Sequence, residues 1–481
     1  MAFLIGGANT LDSAYEISNS LRLDDGDSSD LRFDGQMAAG NRRTFTYSFW
    51  VKRGNLGINT CVFSVEASDV VFRFGTSDDI QFKDVNNDSF NLSTNNVFRD
   101  ISAWYHIVVA VDTTDGTAAN RIKLYVNGTQ QTTNFGTSSY PSQNHDTEQN
   151  NNGDSMYIGA RTDSTSEGSS MTQHYDGHIA DFHLIDGAQK AASDFGEFNN
   201  NGVWIPKKYT GTYGTNGFKL EFQQTGTSAN ASGKGADTSG QGNHFDDTNI
   251  TAAEITTDTP TNNFATLNSL NIRLGKGLTF GYGNLQIQTG TTGGTVGGFS
   301  TIAGLKSGKW YAEYKPTVVG TNATMRFGIE STDFNAADGL CNVAASAYVS
   351  NGNKGRNATD TSHGNSYDDN DIIGVAVDLD NGAIYFSKNG TWQNSSDPES
   401  GSSITGAAYT DILTILPTGG YMFAFNFVYN NSQQEIIQAN FGNPIFSISS
   451  GNSDGNGYGN FEYAVPSGYY ALCTKNLAEY G

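Results

Sequence analysis

In Thr44-Phe45-Thr46-Tyr47-Ser48-Phe49-Trp50-Val51-Lys52-Arg53, the aromatic residues Phe45, Tyr47 and Phe49 alternate with Thr46 and Ser48. Period two is the pattern of a pleated strand; a helix returns to the same face only every 3.6 residues. Similar stretches lie on either side. Cys61 to Val65, Val70 to Phe74 and Ile80 to Lys83 read as short strands, and Trp104 to Asp112 (WYHIVVAVD) as a central strand buried on both faces. Arg121 to Val126 (RIKLYV) alternates and runs into Asn127-Gly128, the pair that best tolerates the positive φ angles of a tight hairpin. Met156 to Ala160, Gly177 to Ile185 and Gly217 to Phe222 follow, separated by the polar stretch Asn134 to Ser155.

The second half has the same grammar. Lys309 to Pro316, Met325 to Glu330, Ile372 to Leu379, Tyr421 to Tyr429, Glu435 to Phe441 and Tyr469 to Lys475 read as strands. Ala383 to Lys388 sits between Asn381-Gly382 and Asn389-Gly390, which predicts a β-meander. Residues 223 to 265 have few apolar anchors and read as an irregular connection, partly packed on a domain surface. The Gly-rich stretch Gly281 to Gly298 reads as turns. The expected fold is all-β: two antiparallel β-sandwich (jelly-roll) domains in tandem, over 1–255 and 256–481.

Composition supports this. Gly is 57 of 481 residues, about one in eight against a usual share of roughly 7%, as many turns require. The 29 Phe and 23 Tyr supply apolar faces that disordered chains lack. With 49 acidic and 27 basic residues the net charge is -22, which repels phosphate backbones and argues against nucleic-acid binding. The start, Met-Ala-Phe-Leu-Ile-Gly-Gly, has no basic region and no long apolar run, so neither a signal peptide nor membrane insertion is expected, and synthesis in a host cytoplasm is. Cys61, Cys341 and Cys473 are far apart and odd in number, so they are expected to be core residues rather than a disulfide framework.

The motifs of the first half resemble the laminin-G and pentraxin branch of the concanavalin-A-like jelly rolls. They are Tyr47-Ser48-Phe49-Trp50-Val51-Lys52, Trp104-Tyr105-His106-Ile107-Val108-Val109, Lys123-Leu124-Tyr125-Val126-Asn127-Gly128, Tyr157-Ile158-Gly159 and Asp176-Gly177-His178-Ile179-Ala180-Asp181-Phe182. The second half resembles a SPRY domain through Ser307-Gly308-Lys309-Trp310-Tyr311, Phe327-Gly328-Ile329, Ile373 to Gly382, Tyr385 to Gly390 and Asn440-Phe441-Gly442. The combination, joined by Asp258 to Asn268 and ending in Pro466 to Thr474, is similar to tail-fibre and virion proteins of marine bacteriophages. That resemblance implies a virion location on the tail or capsid exterior. It implies other phage virion proteins and a host cell-surface glycan or protein as partners, and a homo-oligomer such as a trimer.

The chemistry expected is recognition, through carbohydrate binding in host adsorption. Two alternatives stand: a capsid decoration or tail-scaffold protein without a receptor, and a polysaccharide depolymerase. No strand carries the paired glutamates of a glucanase, so no catalytic residue is assigned; Glu221 and Glu313 read as solvent-face residues. Sugar-contact candidates are Tyr140, Asn144 and His145 in the polar stretch, His174 and Tyr175 before a strand, and Trp392 after a hairpin. On strict alternation His174 and His178 share one strand face and His183 takes the other. No cofactor is required, but the acidic run Asp24, Asp25, Asp27 and Asp30 makes calcium a candidate ligand, with Asp25, Asp27 and Asp30 as ligating residues. Phe3-Leu4-Ile5 is a candidate docking segment.

Overall fold

The computed structural model describes residues 4–5, 15–34, 37–65, 70–85, 88–131, 135–162, 171–273, 277–290, 294–320, 324–333, 345–357, 359–429 and 434–481. Cys341 lies outside the described residues; Cys61 and Cys473 are buried free thiols. The chain divides into a first unit, Leu11–Thr261 with Gly281–Gly283, and a second, Met1–Thr10 with Asn262–Phe280 and Asn284–Gly481. Each is a β-sandwich, as the alternation predicts. Among the described residues the one α-helix is Thr474–Tyr480, and no helix is long and apolar enough to cross a membrane.

In the first unit one sheet runs in the order Thr129–Gln130, Ile122–Val126, Trp104–Asp112, Thr44–Arg53, Gly177–Asp186, Ser20–Leu23, Ile255–Thr256. Phe218–Leu220 also pairs with Gly177–Asp186. The facing sheet runs Phe135–Ser139, Asn91–Val97, Asp79–Lys83, Val70–Phe74, Thr60–Val65, Met156–Ile158, Asp30–Phe33, Asp246–Thr248. Thr44–Arg53 is central, in register with Trp104–Asp112 from Thr44 opposite Asp112 to Lys52 opposite Trp104. Its inward row of Phe45, Tyr47, Phe49 and Val51 enters the core, where Phe49 stacks on Phe182 at 4.8 Å and Tyr47 meets Phe63 at 4.2 Å.

The outward row, Thr46, Ser48, Trp50 and Lys52, is buried too. The connection that the sequence leaves irregular does this work at Lys52, whose Nζ meets Asp258 Oδ2 at 2.7 Å while Trp104 Nε1 donates to Asp258 Oδ1 at 3.2 Å. His106 lies between Trp50 and Trp204, with ring centroids at 4.7 and 5.9 Å. Trp204 Nε1 donates to His106 Nδ1 (3.0 Å), so Nε2–H donates to Ser48 Oγ (2.9 Å). Burial away from water lowers the His106 pKa to about 3.

Several sequence expectations change in the structure. The first concerns His183, which shares the outward face with His178 because the pairing of Gly177–Asp186 with Thr44–Arg53 shifts between Ala180 and His183, at Asp181 with φ of +46°. A bulge inserts one residue and re-aims every side chain after it. Asp181 then lies 3.1 Å from His183 Nε2 and 3.5 Å from Lys219 Nζ, and accepts from Tyr15 at 3.1 Å. Burial would raise its carboxyl, but these partners outweigh burial and bring the pKa down to about 2. Second, the polar stretch contains a strand, Phe135–Ser139, paired with Asn91–Val97. Third, Gly281 to Gly298 is not all turn: Gln286–Gln288 and the start of Gly294–Leu305 are strands.

In the second unit one sheet runs Leu4–Ile5, Gly294–Leu305, Tyr421–Tyr429, Thr324–Ser331, Ser346–Val349, Asn353–Arg356, Thr359–Ser362. Leu4–Ile5 pairs in parallel with Ile302 and Ala303 within this unit; Phe3, the first residue of the candidate docking segment, lies outside the described residues. The facing sheet includes Gln286–Gln288, Ile436–Asn440, Lys309–Val318, Ile373–Asp378, Ala383–Lys388 and Thr391–Trp392 in that order. Trp310, Ala312 and Tyr314 point into the main core, where Tyr314 stacks on Phe327 at 4.7 Å. The other face of the same strand is covered as well, by a second cluster that includes Tyr311, Tyr385, Phe461 and Tyr469.

Glu313 therefore does not face solvent: it is fully buried. Oε1 accepts from Tyr311 hydroxyl (3.1 Å) and Tyr463 N–H (2.9 Å); Oε2 accepts from Asn440 Nδ2 (3.2 Å) and Glu462 N–H (3.0 Å). Burial raises its pKa and the four donors partly restore it. A buried carboxylate with four donors organises the C-terminal segment, because each donor would otherwise be orphaned.

Glu313→Ala leaves those donors without an acceptor, and chemical denaturation of the whole chain is expected to show a loss of roughly 3 kcal/mol or more. A second expectation concerns pH. His106 titrates near 6.5 when unfolded and near 3 when folded, so below pH 6.5 the unfolded state takes up a proton the folded state refuses. Its contribution to stability is complete above pH 6.5 and declines as pH falls, by up to about 1.4 kcal/mol per unit. Denaturation of His106→Gln between pH 6.5 and 5 is expected to show a shallower decline than the parent chain.

Candidate functional site

At one end of the first unit, Thr44–Arg53 begins, Gly177–Asp186 ends, and the loops between strands converge. Gly40 to Arg43, Asp146, Asp186, Gly187, Gly214 and Thr215 line an open polar cleft of about 570 Å³ there. Asp186 builds its floor. Oδ1 accepts from Asn41 N–H (2.8 Å) and Asn150 Nδ2 (3.0 Å), and Oδ2 from Asn216 N–H (3.1 Å). Close packing leaves no room for side chains at two glycines. A Cβ on Gly40 would stand 2.6 Å from Asp186 Oδ2, and one on Gly214, whose φ is +77°, 2.2 Å from the Asp186 carbonyl oxygen.

The rim carries charge. Arg43 grips Asp146 with two bonds, Nε to Oδ1 at 2.7 Å and a terminal guanidinium nitrogen to Oδ2 at 3.1 Å. Arg43 holds the Asp146 carboxyl below its ordinary range. Both side chains stay substantially exposed, 41% and 50%. Arg42 donates to the Thr147 carbonyl (2.6 Å) and to Glu148 Oε2 (2.9 Å). The two forks satisfy each other in part, and the remaining guanidinium N–H groups and carboxylate lone pairs leave both side chains able to hydrogen-bond a polar ligand. Among the described residues no aromatic side chain lines the cleft.

The sequence-read candidates fall in different places. Asn144 and His145 belong to the loop that supplies Asp146, tied down by Asn144 N–H to the Thr113 carbonyl (2.8 Å) and Thr113 Oγ1 to the His145 carbonyl (2.7 Å). Asn144 is exposed, His145 half-buried, and Tyr140 packs its ring against the core. His174 and Tyr175 lie beyond the other end of the ten-residue strand Gly177–Asp186, about 30 Å away at ~3.3 Å per residue. Tyr175 is buried and its hydroxyl donates to the Lys52 carbonyl (3.0 Å), so it is a core residue. Trp392 belongs to the second unit, half-buried with its ring 6.4 Å from Tyr311. Arg42, Arg43 and Asp186 were not singled out from sequence. The signal available was two adjacent arginines opening a strand in an acidic chain.

The three aspartates read as calcium ligands separate as well. Asp30 is buried and paired with Arg32 Nε at 2.5 Å, and Asp27 is exposed and accepts from the Tyr282 hydroxyl at 2.9 Å. Asp25 instead joins Asp24 and Asp176, with one oxygen of each lying within 4.8 Å of the others.

Comparison with known proteins agrees with this architecture. Residues 25–193 match the family model of the concanavalin A-like lectin/glucanases superfamily, and residues 309–411 match the SPRY domain model. No curated protein sequence matches the chain. Among solved structures, a candidate carbohydrate binding protein from Bacteroides ovatus is 12% identical, with a TM-score of 0.34, over 49% of this chain and 58% of that one. The SPRY domain of human HERC1 is 16% identical, TM-score 0.27, over 36% of this chain and 96% of that one. A heptameric SAP-like pentraxin from Limulus polyphemus is 16% identical, TM-score 0.28, over 37% and 80%. The two family matches mark a concanavalin-A-like unit followed by one of SPRY type.

Gly214→Ala is expected to lower the thermal midpoint of the whole chain by several degrees, because backbone stands where the Cβ must go. Arg43→Ala, at an exposed pair, is expected to leave the midpoint within about a degree of the parent.

Proposed function

We propose that this protein is a non-catalytic surface protein of a tailed phage virion that recognises host-surface carbohydrate through the concanavalin-A-like unit. The observation that carries the reading is the open cleft, with paired, exposed Arg43 and Asp146 over a floor fixed by Asp186. Its donors and acceptors suit sugar hydroxyls. Without an aromatic wall to stack on a ring, a single site binds weakly, and useful affinity comes from many copies, as on a virion. The virion setting rests on the similarity of the two-domain arrangement and its motifs to tail-fibre and virion proteins.

The depolymerase reading would need two carboxylates facing a bound sugar about 5 Å apart. The acidic group Asp24, Asp25 and Asp176 has the spacing but not the access, since Asp24 and Asp176 are 5% and 1% exposed. Recognition by the cleft accounts for these features better.

A glycan array probed with the labelled whole chain, presented as multivalent complexes, tests the proposal. The expected result is selective binding that falls at least tenfold in Arg43→Ala and Asp146→Ala, with no glycan product released. Absence of binding to any glycan favours the structural decoration reading; shortened glycans in the supernatant favour the depolymerase.

A further inference from the structure

At the far end of the strand that supplies Asp186, three carboxylates from two segments come together. Asp24 and Asp25 follow Ser20–Leu23, and Asp176 immediately precedes Gly177–Asp186. Known partners cover part of their capacity. Asp176 Oδ1 accepts from Gly283 N–H (2.7 Å), Asp24 Oδ1 from Tyr282 N–H (2.7 Å), Asp24 Oδ2 from Asp27 N–H (3.1 Å) and Asp25 Oδ2 from Asn55 Nδ2 (2.9 Å). Asp176 Oδ2 is different: it is buried with no hydrogen-bond partner. The residue as a whole is 1% exposed.

Among the described residues none of the three carboxylates forms an ion pair with Lys or Arg. The nearby Arg22 turns to the Ala253 carbonyl (3.0 Å) and Glu254 (3.7 Å). A carboxylate oxygen in such a place destabilises the fold unless something positive meets it. Water is a poor substitute, because it cannot offset the repulsion among three acids. Burial, and then the neighbouring acids, push the Asp176 carboxyl well above its ordinary range; burial also raises Asp24 and Asp25.

We propose that Asp24, Asp25 and Asp176 hold a calcium ion that ties the loop after Ser20–Leu23 to the entry of Gly177–Asp186. The donor set is oxygen only, which suits a hard cation rather than zinc or copper. One oxygen of each carboxylate lies within 4.8 Å of the others, close enough for the three to reach one ion. Calcium accepts several carboxylates in irregular geometry, whereas magnesium demands a near-ideal octahedron and keeps most of its waters, so calcium is the better match. Gly54 makes the space: a Cβ there would be 2.1 Å from Asp176 Oδ1. The ion is separate from the glycan cleft, and the proposal stands or falls independently of sugar binding.

The test is thermal melting of the whole chain at neutral pH, first in EDTA and then with calcium or magnesium alone, with terbium luminescence as a binding readout. Calcium at 1 mM is expected to raise the midpoint by about 5 °C or more, and magnesium by clearly less. Asp176→Asn keeps the shape and the acceptor for Gly283. It is expected to melt in EDTA no lower than the parent, and to lose both the calcium shift and the terbium signal. Asp30→Asn, whose carboxylate is paired with Arg32, is expected to keep the terbium signal. A parent chain that melts identically in EDTA and calcium and gives no terbium signal overturns the proposal, as does an Asp176→Asn chain that retains the full calcium shift.

Discussion

Burial of both faces of one central strand is the constraint on which the first unit depends. Thr44–Arg53 sends aromatic rings into the sandwich core, while its outward Thr46, Ser48, Trp50 and Lys52 are also buried. A sheet in that position must have its polar outward groups met by protein, because water no longer reaches them. Asp258 meets Lys52, and His106, held in one tautomer by Trp204, meets Ser48. The connection after Phe218–Leu220 is therefore part of the covering, through Asp258, rather than a bare linker. The second unit repeats the solution with Lys309–Val318, whose Glu313 plays the part of buried acceptor.

The same constraint shapes the two candidate sites. Gly177–Asp186 runs beside the central strand through the whole sheet, so its two termini are fixed with it. One terminus presents Asp186 as the floor of the polar cleft; the other follows directly on Asp176 in the carboxylate cluster. Strands hold these groups, and the loops before Thr44–Arg53 and around Asp146 add the rim of Arg42, Arg43 and Asp146. This is the usual division between a scaffold and the segments that recognise.

Much of the fold was legible because it rests on local pattern. Period-two aromatic rows and Asn-Gly turns predict strands such as Thr44–Arg53 and Ala383–Lys388 directly, and the structure has them. What escaped depends on tertiary context. Glu313 looks like a solvent-face residue on an alternating strand, and only the distant segment around Glu462 and Tyr463 buries it. The face taken by His183 depends on a single bulge residue, Asp181, that alternation cannot reveal. Asp25 was legible as part of an acidic run, but its companion Asp176 is 151 residues away (176 − 25) and only the sheet brings them together. The cleft was missed for the same reason: Arg43, Asp146 and Asp186 come from three separate parts of the chain.

If recognition is the role of the first unit, a sugar sits in the cleft. The most direct measurement is a crystal structure of the whole chain with the oligosaccharide that binds it best. Density is expected between Arg43, Asp146 and the Asp186 floor, with ring hydroxyls within hydrogen-bond distance of the first two. Density confined to the second unit, or to a surface away from these residues, would contradict it.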